Sequence, residues 1–496
     1  MTQLASPATS LPLPARRRSI FLVTSLGAFM ASLDLSIVNV AFPALQRAFA
    51  HDPRASLAWV VTGYSIIFGS LLVIAGRTAD RLGSRRVFFA GLGVFCFGSA
   101  LCAVAPSVAL LIAGRLVQGV GAAALLPASL ALLLGAYPKE RRSQMVALWG
   151  GIGALAVATG PSFGALLITG FGWRSAFYVN LPVGLVAWLV GRRVLARSPR
   201  TDSAPPDYLG VVLLSVALAA LVLAISQGPT WGWSSARILA SFAVSVVLGG
   251  AFARRSTRHP EPVLDFSLFK TRSFSVANTV TLLYSMGFFA LLLGNILFLT
   301  SVWHYSILLA GLAITPGPLV VAVVAGPAGR AAGRYGFRKV LLCGFVIFAG
   351  GLLWMASRTG LHGEYLSMWL PGTLAIGLGI GLTFPVLSAA AVSSLHPERF
   401  AVGSAVNQTA RQIGGAIGVA ILVVILGVAH SPGSALTSFH HLWLYIATMA
   451  VAAGLVATQL RRPAGASAPS VLVTSTPSTD VDSPRTAPTP VRNEST

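Results

Sequence analysis

Of the thirteen acidic side chains in this 496-residue sequence, only Asp34 falls well inside a long apolar run; the others lie in loops, at run edges or in the tail. An ionisable group in hydrocarbon is costly unless it is paired or faces water. By helix rise Asp34 lies about 21 Å from the start of its run, leaving roughly 9 Å to the far edge of a bilayer core. Arg115 stands in a run entering from that far side, at a depth of roughly 10 Å. The two can therefore pair. Protonation of Asp34 would then release Arg115 and alter the local field, whereas the bland alternative is a permanent structural ion pair. Asn39, Tyr64, Gln118 and Asn295 could line a substrate cavity, or could only bond helix to helix.

Other chemistries find little material. Cys96, Cys102 and Cys343 sit in apolar runs without ligand-like spacing, which indicates neither a disulfide framework nor a metal site. All eight histidines fall in loops or at run ends, so a membrane-embedded enzyme with clustered acids or histidines is not expected. No GxxxxGK[ST] loop occurs, and Lys139, Lys270 and Lys339 each follow a residue other than glycine. Active transport would have to draw on an ion gradient, without a bound cofactor.

The elements that would position Asp34 and Arg115 are membrane helices. The chain is 55% hydrophobic and 10% charged, with a mean hydropathy of +0.78, too apolar to remain in water. Runs long enough to cross about 30 Å of hydrocarbon recur from Ser19 nearly to the end. Fourteen are expected: 19–41, 57–76, 87–105, 108–136, 145–168, 176–195, 209–226, 238–253, 276–300, 307–324, 340–356, 366–392, 405–428 and 442–460. The eighth is short, and the tenth contains Pro316 and Pro318. A signal peptide also begins with a basic segment like Arg16 to Arg18, but here the apolar run is long and no small-residue cleavage site closes it.

The formal charge of +22 does not indicate nucleic acid. Under this span assignment, 26 of the lysines and arginines fall in loops on the N-terminal side and five on the other. That asymmetry places both termini in the cytoplasm of a multi-pass protein of the inner cell membrane. A tail rich in Ser, Thr, Pro and Ala, residues 463–496, is expected to be disordered.

An internal repeat organises the runs. Gly76, Asp80, Arg81, Gly83, Arg85 and Arg86 are matched 253 residues later by Gly329, Gly333, Arg334, Gly336, Arg338 and Lys339. At an offset of 258, Gly119, Gly121, Pro127, Glu140 and Arg141 correspond to Gly377, Gly379, Pro385, Glu398 and Arg399. The expected architecture is an all-α integral membrane protein with two parallel six-helix repeats and two extra central helices. Its parts are a basic N-terminus (1–18), an N-terminal bundle (19–200), a two-helix insertion and linker (201–270), a C-terminal bundle (271–462) and the tail. Parallel repeats suit a transporter that rocks about a central site.

The 76–86 loop resembles the signature loop of the major facilitator superfamily. Leu33, Asp34, Ser36, Ile37, Val38, Asn39, Val40, Ala41 and Pro43 resemble the first-span motif of its fourteen-span drug:proton antiporter branch, and Trp173, Arg174, Phe177, Asn180, Pro182 and Gly184 another feature of that branch. Arg115, Gln118, Gly119, Gly121 and Ala123 are similar to the fourth-span motif, whose arginine the family associates with proton movement. The second repeat has Thr373 in place of Arg115. Gly160, Pro161 and Gly164 resemble the antiporter motif, in which small residues and a missing donor allow bending; Ala147, Ala156 and Ala165 replace its usual glycines.

The resemblance implies that Asp80 caps a helix terminus and bonds a neighbouring arginine, latching the halves in an outward-open state, with span thirteen as partner. The other reading is that Arg85 and Arg86 only fix topology while Gly83 makes the turn. Span thirteen carries Ser404, Asn407 or Gln408, Arg411, Gly414 or Gly415, and Gly418 on one face, where interhelical bonding and close packing are expected. The expected function is export of an amphipathic compound in exchange for protons, by a monomer in the lipid bilayer with a small-molecule substrate and no nucleic acid. The alternatives are an uncoupled facilitator or a transporter-like sensor.

Overall fold

A computed structural model describes residues 13–196, 205–393, 395, 399–427 and 431–460. The expectations for 1–12, the 463–496 tail and Glu398 fall outside these residues. The described residues belong to one compact unit.

Among the described residues there are helices and no strands. In the first half, α1 (Leu13–Ala48), α2 (Arg54–Leu82), α3 (Ser84–Ala103), α4 (Val108–Ala136) and α5 (Lys139–Phe171) are followed by the short α6 (Ser175–Tyr178) and α7 (Asn180–Val194). The pair α8 (Tyr208–Trp231) and α9 (Ala236–Ser256) forms the insertion. The second half contains α10 (Arg272–Ser301), α11 (Ile307–Ile314), α12 (Pro316–Tyr335), α13 (Phe337–Arg358), α14 (Leu370–Val392), α15 (Phe400–Leu426) and α16 (Pro432–Ala457).

Twelve helices among the described residues are long and apolar enough to cross a membrane, and thirteen if bent α5 is one span. The remaining one of the fourteen expected spans is the sixth run, which falls outside this count because it is divided into α6 and α7. There, Pro182 has no N–H to give the carbonyl of Tyr178, but Val179 keeps right-handed helical dihedrals (φ −57°, ψ −28°), so the helical path continues from α6 into α7. From Ser175 to Val194 that path rises about 30 Å, the thickness of the hydrocarbon. The eighth run is a regular 21-residue helix because Arg254 and Arg255 extend it beyond the apolar stretch. The tenth is one span from Ile307 to Tyr335, interrupted where Pro316 opens α12.

The repeat in sequence is a repeat in packing. The pairs α3–α4, α2–α4 and α1–α5 of the first half recur as α13–α14, α12–α14 and α10–α15 in the second. Gly83 turns α2 into α3 at φ 93°, and Gly336 turns α12 into α13 at φ 88°, a left-handed conformation that favours glycine. On α4, a Cβ at Gly121 would strike the backbone nitrogen of Phe95; at the matched Gly379 it would lie 2.7 Å from that of Phe348. The missing side chains let α3 and α4, and α13 and α14, touch backbone to backbone.

One hydrophobic cluster joins the two halves at the end opposite the arginine-rich loops, where Ile37, Phe42 and Ala165 share a core with Leu293, Ile307 and Ala310. A Cβ on Gly311 would lie 2.6 Å from the carbonyl oxygen of Pro161, and Ser162 of α5 hydrogen-bonds Thr315. Toward the basic end, a cluster with Val23, Phe88, Leu125 and Val194 draws on the first half alone. The halves meet again at that end through Val73 and Val406, with Leu268 and Phe274. The insertion covers this seam: Val211, Leu214 and Leu218 of α8 pack with Ile66 of α2 and Ala416 of α15.

Candidate functional site

Asp34 and Arg115 meet inside the first half, both about 1% exposed. Helices α1 and α4 carry them, and the glycine contacts between α3 and α4 bring the polar face of α4 close to its neighbours. Arg115 Nη1 donates to Asp34 Oδ2 at 2.6 Å and to Gln118 Oε1 at 2.6 Å, while Arg115 Nε donates to the carbonyl of Val60 at 2.9 Å. Its guanidinium carbon lies 4.0 Å from the centre of the Tyr64 ring, a cation–π contact.

The other carboxylate oxygen, Asp34 Oδ1, accepts from Gln118 Nε2 at 2.8 Å and from Asn180 Nδ2 at 3.3 Å. Asn180 Nδ2 also donates to Ser99 Oγ at 3.0 Å, and Ser99 Oγ donates to the carbonyl of Phe177 at 2.8 Å. Five helices thus converge on one carboxylate: α1, α2, α3, α4 and α7. The Tyr64 hydroxyl is buried and has no hydrogen-bond partner among the described residues. Every donor at Asp34 satisfies the ionised form. A proton arriving there cancels the carboxylate's charge, and Arg115 is the donor whose own charge then lacks a counter-ion.

Two members of this cluster escape a reading of charge and depth. Asn180 had a signal, since it belongs to the quoted pattern around Trp173, but nothing there linked it to Asp34. Ser99 had none, being one small hydroxyl in an apolar run.

Residues considered for a substrate cavity lie elsewhere or are engaged. Gln118 and Tyr64 belong to the ion-pair cluster. Asn39 is 6% exposed and donates to the Leu35 carbonyl of its own helix at 2.7 Å. Asn295, 7% exposed, accepts from Trp443 Nε1 at 3.2 Å in an aromatic cluster with Phe298 and Trp369.

Helix α5 bends by 44° between Leu148–Val157 and Thr159–Phe171, just before Gly160 and Pro161. Gly160 lies directly against Ser36 of α1, whose hydroxyl donates to the Val157 carbonyl at 3.2 Å, and a Cβ on Gly164 would lie 3.1 Å from Ile37. The bend and the missing side chains set α5 beside the segment that holds Asp34.

Among the described residues, no ion pair or hydrogen bond joins Asp80 to α15. Asp80 is exposed and forms no ion pair among the described residues, and Arg81 also lies at the helix end, where Gly76 is half-buried against Pro127. Arg85 donates to the Arg192 carbonyl at 3.3 Å and lies over Phe89. Arg86 is exposed. The pairs that do form run through the linker after α9: Arg77 with Glu261 at 2.8 Å, and Arg399 with Asp265 at 3.9 Å. Both are part-exposed, so each contributes at most about 1 kcal/mol. Glu261→Gln is expected to shift thermal unfolding by no more than a few degrees, read by scanning fluorimetry in detergent; a large loss of stability would show that the linker clamps the bundle.

The family model of the Major Facilitator Superfamily matches residues 24–418 and 277–479. The chain is 35% identical over 404 residues to the methylenomycin A resistance protein of Streptomyces coelicolor, covering 81% of this chain and 84% of that one. It is 36% identical over 409 residues to a multidrug resistance protein B homolog of Mycobacterium tuberculosis, covering 82% and 75%. With the tetracenomycin C resistance and export protein of Streptomyces glaucescens it shares 30% identity over 408 residues, 82% and 75%. Among solved structures, the nucleoside transporter NupG superposes with a TM-score of 0.63 over 89% of this chain and all of that one, at 11% identity, a likeness of fold alone.

Proposed function

The chain belongs to the major facilitator superfamily, and from that premise we propose that it exports amphipathic drugs, antibiotics or secondary metabolites across the cytoplasmic membrane in exchange for protons, by alternating access. The printed names of its relatives, which speak of resistance, efflux and export, support the direction and the compound class. The observation that carries the coupling is the buried Asp34–Arg115 pair.

Asp34 is the proton acceptor in this reading. When it is ionised, Arg115, Gln118 and Asn180 hold α1, α4 and α7 together around it. Protonation cancels the charge that compensates Arg115, and the guanidinium is left to Val60, Gln118 and the Tyr64 ring. The helices must then rearrange to supply either water or a new acceptor. Because α5 is bent beside α1 and packs on α11 across the interface, a shift at Asp34 has a direct route to the contact between the halves.

In this orientation the basic loops face the cytoplasm, and the shared core of the two halves closes the outer end. The unlatched Asp80 fits such a state, since the latch implied for the 76–86 loop belongs to the outward-open one. The proton gradient supplies the energy, and a single chain contains both halves, so a monomer suffices.

The test is transport by purified protein in liposomes under an imposed pH gradient, using cationic, neutral and anionic amphipathic fluorophores. Gradient-dependent movement supports the exporter. Movement indifferent to the gradient would make the protein a facilitator, and no movement of any compound would make it a sensor.

A further inference from the structure

Arg411 is a second cation deep in the bundle, the twelfth residue of α15 and about 17 Å along it, near the middle of the hydrocarbon. Unlike Arg115, it has no carboxylate: among the described residues, the ion pairs are Arg77–Glu261, Arg115–Asp34, Arg255–Asp207 and Arg399–Asp265. Arg411 Nη2 donates to Ser388 Oγ at 2.9 Å, its guanidinium carbon lies 4.4 Å from the centre of the Phe384 ring, and its buried Nε has no hydrogen-bond partner. Phe288 extends the aromatic wall, its ring 4.5 Å from that of Phe384.

Packing does not explain this side chain. Its neighbours on the same face are spent on the α10–α15 contact: Asn407 donates to Asn278 and Thr281, and Gly414 and Gly418 lie against the backbone of α10. One hydroxyl and one ring face do not replace the counter-charge that a guanidinium requires at this depth. Arg411 is also only partly buried, as is Gln408, while Ser404, two turns toward the basic end, is exposed. These three residues form a polar stripe that leads from the basic end to the cation.

We infer that Arg411 anchors an acidic group on the exported compound, so that the substrate class is amphipathic monoanions carrying a carboxylate. The guanidinium fork presents two parallel donors to such a group, and Phe384 with Phe288 takes the apolar remainder. This deepens the exporter reading and rests on it. It also separates the two charges of the exchange: the substrate anion is held between α14 and α15 in the second half, and the proton at Asp34 in the first. With the cytoplasm negative, an anion leaving and a proton entering are both driven by the membrane potential.

The experiment measures equilibrium binding of 1-naphthaleneacetate and pyrenebutyrate, each beside its neutral primary amide, to the full chain in detergent. The intact protein is expected to bind each acid roughly tenfold or more tighter than its amide. Arg411→Gln removes that preference, and Arg411→Lys retains part of it. Unchanged helix content by circular dichroism and an unchanged elution volume in size-exclusion chromatography show that the Gln variant is folded. Equal affinity of acid and amide for the intact protein, absence of acid binding, or an acid preference that survives Arg411→Gln would overturn the assignment. Asp34→Asn is expected to keep the acid preference in binding, so failure of proton-driven export leaves this result standing.

Discussion

Asp34→Asn is expected to reduce pH-gradient-driven efflux to the level of protein-free liposomes, while the protein still inserts and keeps its helix content. The asparagine matches the carboxylate in shape and can still offer one oxygen to Gln118 and Asn180, so the convergence of α1, α3, α4 and α7 has what it needs to persist. What disappears is the titratable charge. Stripping the partner from a buried ion pair ordinarily costs about 3–5 kcal/mol. Here the cost is expected to be smaller, because Arg115 retains the Val60 carbonyl, Gln118 and the Tyr64 ring.

The same pair gives a control that distinguishes coupling from architecture. Arg115→Gln alone strands the buried carboxylate and is expected to lower the unfolding temperature more than the Asp34→Asn, Arg115→Gln double substitution does. The non-additive part should be about 1–3 kcal/mol, as for groups in one network. If the pair is only a structural clip, the double variant recovers transport along with stability. If Asp34 carries the proton, the double variant is stable and shows no response to the gradient. Efflux by Asp34→Asn with an undiminished gradient response would remove the coupling role outright.

The sequence makes this pair visible for a specific physical reason. Helix rise converts residue number into depth, and a single acid among apolar residues leaves few candidates for its partner. Gly83 and Gly336 are visible in the same way, as turn residues in two matched loops that the structure realises at positive φ. Ser99 and Asn180 are another matter. Their role depends on α3 approaching α4, which is set by backbone contact at Gly98, Gly114 and Gly121, and on α7 packing against α1 and α3, and no spacing along one helix reports it. The sixth run shows what hydropathy does not report: it is apolar enough, and Pro182 removes one backbone hydrogen bond inside it. Arg411 lies between these cases. Its place on a helical face was legible, but the absence of an acid partner and the aromatic wall of Phe384 are facts of α14 and α10 packing.

The second large effect is expected at Gly311, where α11 presses on α5. A side chain there has no room, since its first carbon would lie 2.5 Å from Ala165 Cβ and 2.6 Å from the Pro161 carbonyl oxygen. Gly311→Leu is expected to separate α5 from α11 and to cut efflux by an order of magnitude or more, with a stability cost of about 1–3 kcal/mol typical of overpacking. The loss would arise because the outer seal cannot close, and its signature is accessibility. A cysteine introduced at Ser162, which bonds Thr315 across this contact, should be shielded from a membrane-impermeant maleimide added outside. In the Gly311→Leu background the same cysteine should label rapidly, and Gly311→Ala should fall between. The overall arrangement can tolerate the change because α1 still meets α10 at the same end. Full efflux by Gly311→Leu, or a Ser162→Cys label that ignores it, would show that closure of the outer end does not depend on the approach of α5 to α11.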